Sequence, residues 1–99
     1  MSSSYILKGG SLPNGTKSDI AIKDGLISAI GTSLDASGSE IFDITNCVVL
    51  PGLVDLHTHL REPGREDAET VLSGSRAAVK GGFTAISAMA NTSPVADTA

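Results

Sequence analysis

The sequence predicts an α/β chain in two parts, short strands over residues 1–50 and a strand–helix–strand crossover over residues 51–99. Three observations predict it. Between Tyr5 and Leu50, brief apolar runs alternate with turn residues at close spacing, the mark of an antiparallel sheet or of part of a small β-sandwich. Pro51-Gly52 then punctuates the chain, and beyond it the pattern changes. Finally, an apolar run that ends at His57 and another from Phe83 to Met89 flank a helical stretch, which makes one βαβ unit, the building block of parallel sheets and of the eight-stranded barrel.

In the first part, Tyr5 to Lys8 is strand-like and is followed by the breakers Gly9 and Gly10, with a turn at Pro13-Asn14-Gly15. Asp19 to Lys23 alternates in polarity. Leu26 to Ile30 resumes that character after Asp24-Gly25, so the pair reads as a hairpin with a two-residue type I′ turn. Glu40 to Ile44 and Cys47 to Leu50 are two further short strands around Thr45-Asn46, and the loose edges of such a sheet call for something else to cover them.

In the second part, Leu53 to His57 is a strand and Leu60 to Glu66, with Pro63-Gly64, is the loop beyond its carboxyl end. Asp67, Ala68 and Glu69 place acidic groups where a helix amino terminus favours them, and the helix is expected to run from there to about Lys80. Val71, Leu72, Ser75, Ala78 and Val79 form its apolar-to-small stripe, and Gly81-Gly82 ends it. Glu62, Arg65, Glu66, Asp67 and Glu69 read as a solvated surface and helix cap.

With 40% hydrophobic and 18% charged residues the chain belongs with globular proteins, but two Phe, one Tyr and no Trp leave its core to Ile, Leu, Val and Ala. The net charge of -4 argues against a basic, phosphate-binding surface, and no nucleic-acid partner is expected. No apolar run approaches a membrane span and Met1-Ser2-Ser3-Ser4 lacks the features of a secretory signal, so a cytoplasmic protein without a membrane partner is expected. The lone Cys47, beside Val48, Val49 and Leu50, reads as a buried structural thiol.

Both histidines, His57 and His59, stand two residues apart at the end of the first βαβ strand. On a strand, alternate residues share a face, so Asp55, His57 and His59 lie on one side and two imidazoles can reach one cation. Imidazole suits zinc, and a catalytic zinc takes about three protein ligands, so these two need partners from elsewhere. A bare His-x-His is more often a hydrogen-bonded, metal-free pair. The context decides: the strand ends of a βαβ unit are where barrel active sites lie, and here they carry His57, His59 and Arg61 on one strand and Asn91 on the next.

Pro51-Gly-Leu-Val-Asp-Leu-His-Thr-His-Leu-Arg-Glu-Pro-Gly64, then Gly-Gly-Phe-Thr from Gly81 and Met89-Ala-Asn-Thr-Ser-Pro94, resembles the amino-terminal quarter of the dihydroorotases of the amidohydrolase superfamily. Ile-Lys-Asp-Gly-Leu-Ile-Ser-Ala-Ile-Gly and Val-Val-Leu-Pro-Gly extend the likeness over the whole chain. Where the family often has Pro between Met and Asn, this chain has Ala90.

The resemblance implies that residues 1–50 are part of a small β-sandwich domain and residues 51–99 the start of a metal-dependent (β/α)8 barrel, incomplete in this chain. It implies a zinc-dependent enzyme, with one or two ions per full-length subunit, that interconverts N-carbamoyl-L-aspartate and L-dihydroorotate in pyrimidine synthesis. His57 and His59 resemble metal ligands; Arg61 and Asn91 resemble the pair that holds the substrate carboxylate, with His59 beside them at the substrate. A guanidinium fork grips a carboxylate in two places, which fits Arg61. No catalytic residue of the family has a counterpart here, and the chain is expected to be a fragment, inactive alone. The resemblance leaves open a homo-oligomer or association with aspartate transcarbamoylase. An allantoinase or hydantoinase shares the histidines without needing the same carboxylate grip, and a non-catalytic dihydroorotase-like scaffold subunit is the alternative of another class.

Overall fold

A computed structural model describes residues 3–98. The chain divides into two compact units, Met1–Leu50 and Pro51–Ala99.

The first unit holds strands β1 (Ser4–Ser11), β2 (Lys17–Lys23), β3 (Leu26–Gly31) and β4 (Glu40–Asp43) in one sheet of order β3-β2-β1-β4. Asp24 and Gly25 both take positive φ, 51° and 80°, and close the β2–β3 hairpin with Lys23 opposite Leu26. Gly9-Gly10 does not end β1 as expected. The strand runs on through a bulge, with Gly9 at φ 80°, and the buried carboxylate of Asp19 accepts the Gly9 amide at 3.0 Å and the Leu34 amide at 3.3 Å.

The expectation of an antiparallel sheet is corrected at β4, which pairs with β1 in parallel, Ile6 opposite Ile41. The meander β1–β2–β3 finishes at the end of the sheet where β1 also finishes, so the chain returns through residues 32–39 before entering the far edge. Hydrophobic alternation carries no sign of strand direction. The expected strand over Cys47 to Leu50 is also corrected: it reduces to a single bridge between Ser11 and Val48, after a turn in which Asn46 takes φ 69°. Cys47 is exposed rather than buried, because Val48 and Leu50 beside it are themselves 61% and 62% exposed. Ile6 and Ile20 are the buried apolar side chains among the described residues, while Leu26 and Ile27 at the β3 edge stay open.

In the second unit, strands β5 (Leu53–Thr58) and β6 (Phe83–Ala88) pair in parallel, joined through helix α1 (Val71–Lys80), which packs on β6. At the foot of β5 the backbone of Gly52 lies so close to the Thr84 side chain that a Cβ there would collide with it. The helix begins later than expected. Its cap is Thr70, whose hydroxyl accepts the Ser73 amide at 3.1 Å while Ser73 Oγ accepts the Thr70 amide at 2.9 Å, and its first turn holds no acidic residue. Asp67 instead pairs with Arg65 in solvent, 3.1 Å apart. Of the expected stripe, Ser75, Ala78 and Val79 line a cleft of about 170 Å³ beside Phe83 and Ile86 of β6, but Leu72 and Val79 stay 60% and 73% exposed. Gly82, at φ 88°, turns the chain into β6. These elements are a mixed α/β arrangement with one βαβ unit; two parallel strands do not by themselves close a barrel. Among the described residues no helix is long and apolar enough to cross a membrane.

Candidate active site

The carboxyl ends of β5 and β6 lie side by side because the two strands are parallel, and the Met89 amide donates to the Thr58 carbonyl at 2.8 Å just where β5 stops. His57 is the penultimate residue of β5 and His59 lies one residue past its end. Their side chains nevertheless meet. The two Nε2 atoms are 3.1 Å apart, with the rings edge to face. The pairing of β5 with β6 is irregular between Asp55 and Thr58, and the Asp55 carboxylate accepts the His57 backbone amide at 3.0 Å. Asp55 therefore shapes the backbone that carries His57; a role in orienting an imidazole, as its strand face suggests, is not what this contact provides.

Asn91, past the end of β6, reaches the same pair: its Oδ1 is 3.0 Å from His59 Nδ1. An amide oxygen can only accept, so Nδ1 is the donor, and in the neutral imidazole this leaves the lone pair on Nε2, the nitrogen that faces His57. Arg61 and Asn91 both line a cleft of about 230 Å³, whose wall also includes Leu60, Arg65 and the Pro63-Gly64 turn, with Thr92 and Ser93 opposite. The four residues singled out in the sequence thus fall at one end of one βαβ unit.

The two-histidine pair fits a tetrahedral cation. Bonds of about 2.0–2.1 Å place adjacent nitrogens about 3.3–3.4 Å apart, close to the spacing of the two Nε2 atoms. Both rings are exposed, so a cation has access to them. Among the described residues no group of three or more His, Cys, Asp or Glu gathers as a fuller ligand set. The pair supplies two donors.

Sequence reasoning missed what holds the loop. Glu62 Oε2 accepts the Val71 amide at 2.7 Å, across the opening of α1. The Pro63 carbonyl accepts the Ser93 amide at 3.0 Å, and Gly64, at φ 112°, lies so near Ser93 that a Cβ would sit 2.8 Å from its carbonyl oxygen. Pro63-Gly64 signalled a turn, but nothing in the sequence signals that it seats against the loop after β6.

The family model for dihydro-orotase-like proteins matches residues 46–99, more than half the chain and all of this site. The chain belongs to the dihydroorotase-like family. Over 97 residues it is 55% identical to the dihydroorotase of Streptomyces coelicolor, an alignment covering 98% of this chain and 23% of that one. It is likewise 55% identical to the dihydroorotase of Mycobacterium tuberculosis over 84 residues, 84% of this chain and 20% of that one. The chain spans about a fifth of the length of these curated family members. Among solved structures, a crystal structure of D-hydantoinase superposes with a TM-score of 0.67 at 36% identity, covering 87% of this chain and 19% of that one.

Proposed function

We propose that this chain serves in a dihydroorotase, a zinc-dependent cyclic amidohydrolase that interconverts N-carbamoyl-L-aspartate and L-dihydroorotate, with residues 51–99 as the opening of its (β/α)8 barrel. The observation that carries the reading is the cleft holding Arg61 and Asn91 together, beside the paired Nε2 atoms of His57 and His59. A guanidinium and an amide nitrogen are the donors a ring carboxylate needs, and they adjoin the place a metal would be held.

In this reading His57 and His59 give two of the metal's ligands, and the remaining donors come from outside these residues. When bound, zinc supplies Lewis acidity toward the amide carbonyl and lowers the pKa of water. Arg61 takes the substrate carboxylate in a two-point grip. Asn91 serves both neighbours at once, its oxygen fixing the proton of His59 on Nδ1 and its nitrogen remaining a donor for the carboxylate. His59, bonded to Asn91 and facing His57, would stand between the carboxylate and the metal.

The similarity to D-hydantoinase supports a second reading, a hydantoinase or allantoinase acting on rings without that carboxylate. A substrate panel on a full-length enzyme carrying this sequence separates them. Turnover of dihydroorotate and carbamoyl aspartate, with hydantoin, allantoin and dihydrouracil left intact, supports the first reading; the reverse preference supports the second. Absence of turnover with all of them points to a non-catalytic scaffold.

A further inference from the structure

The segment from His59 to Thr70 has no regular secondary structure, yet it must present Arg61 at a defined place. Arg61 stands between two residues that are both fixed to α1. On one side, Leu60 packs against Gly74, the buried glycine of the helix: a Cβ on Gly74 would lie 2.5 Å from Leu60 Cδ2. On the other, Glu62 places its carboxylate on the Val71 amide at 2.7 Å. That amide belongs to the first helical residue and has no partner within the helix, so the bond satisfies an otherwise orphaned donor and sets a negative charge at the positive end of the helix. Between these two anchors the Arg61 carbonyl accepts the Arg65 amide at 2.7 Å, which tightens the loop into a turn, and Arg61 lines the cleft together with Leu60 and Asn91.

We propose that Glu62 is a positioning residue of the substrate site, which holds Arg61 in its carboxylate-binding orientation by clamping the loop to the amino end of α1. This rests on the dihydroorotase reading for its substrate, and on the Glu62–Val71 bond for its geometry. Glu62 touches neither substrate nor metal in this scheme; it acts through Arg61.

The test is a double-mutant cycle in a full-length enzyme carrying this sequence. Glu62→Ala is expected to raise the KM for dihydroorotate roughly tenfold or more while kcat stays within about threefold. Glu62→Gln, which keeps an oxygen for the Val71 amide, is expected to recover much of the loss and guards against a folding defect in the alanine variant. In an Arg61→Met background, Glu62→Ala is expected to add nothing further. An unchanged KM, a loss falling on kcat alone, or full additivity with Arg61→Met would overturn the proposal. Hydrogen exchange at the Val71 amide separates the clamp from the substrate reading. If the parent enzyme hydrolyses only neutral rings, the dihydroorotase reading fails, while unchanged Val71 exchange in Glu62→Ala defeats the clamp whatever the substrate.

Discussion

His59 Nδ1 and Asn91 Oδ1 lie 3.0 Å apart, so a residue at the end of β6 fixes the proton of a histidine at the end of β5. The consequence is chemical. With Nδ1 carrying the proton, the neutral ring of His59 keeps its lone pair on Nε2, beside His57, which is the tautomer a metal ligand needs.

Replacing Asn91 by Ala removes that acceptor, and zinc affinity of a full-length enzyme is expected to fall by about 10–100-fold. Asn91→Asp keeps an acceptor and should retain the metal. Zinc content under chelator competition checks both variants; normal affinity in Asn91→Ala would confine Asn91 to the substrate side.

Arg61→Met takes away the guanidinium but leaves the histidines and Asn91 in place. It is expected to raise KM for dihydroorotate at least roughly tenfold, the loss of a charge-assisted two-point contact, with zinc content near that of the parent. Steady-state kinetics and metal analysis of the same preparation give the answer, and loss of metal instead would contradict the carboxylate role.

Gly64→Ala introduces a Cβ at φ 112°, 2.8 Å from the Ser93 carbonyl oxygen. Strain of this kind costs about 1–3 kcal/mol, and the collision pushes the Arg61 loop from the Asn91 loop. Chemical denaturation should show the stability loss, and KM should rise with it.

The 99 residues alone are expected to give no zinc-dependent turnover of carbamoyl aspartate, since the described residues bring together only two imidazole donors. Leu26, Ile27 and Leu56, 73%, 65% and 76% exposed, should also make the isolated chain bind an apolar dye. Activity assay and dye fluorescence on the purified chain test the two statements.

Asp43 is held below the usual aspartate range, first by the Thr45 hydroxyl and then by the Thr45 backbone amide. A carboxyl whose folded pKa is depressed stabilises the fold above its unfolded value, and that contribution is lost as pH falls through the lowered one. Thr45→Val is therefore expected to move the Asp43 titration upward, as read by carboxyl NMR.

Much of the architecture was legible because local chemistry decides it. Asp24-Gly25 closes a hairpin whatever surrounds it, and the glycines after Lys80 end the helix in any context. The direction of β4 was not legible, since Glu40 to Asp43 would alternate identically in either orientation. The helix start was missed because Asp67 and Glu69 resemble first-turn acids, whereas the Thr70–Ser73 cap places the boundary after them. At the site, the spacing of His57 and His59 drew attention to the end of β5, while Arg61 and Asn91 were picked out by their place at the strand ends and by the family resemblance. Glu62 was taken for part of a solvated surface and cap, because a carboxylate gives no sign in sequence of which amide it will find nine residues on.

Seating Arg61 between two anchored neighbours makes it exchangeable. If Leu60 and Glu62 hold the loop as proposed, a change at 61 would alter the side chain offered to the cleft without dismantling its surroundings. On that reading, an engineer seeking new ring preferences in a full-length enzyme would randomise position 61 first and leave 60 and 62 alone.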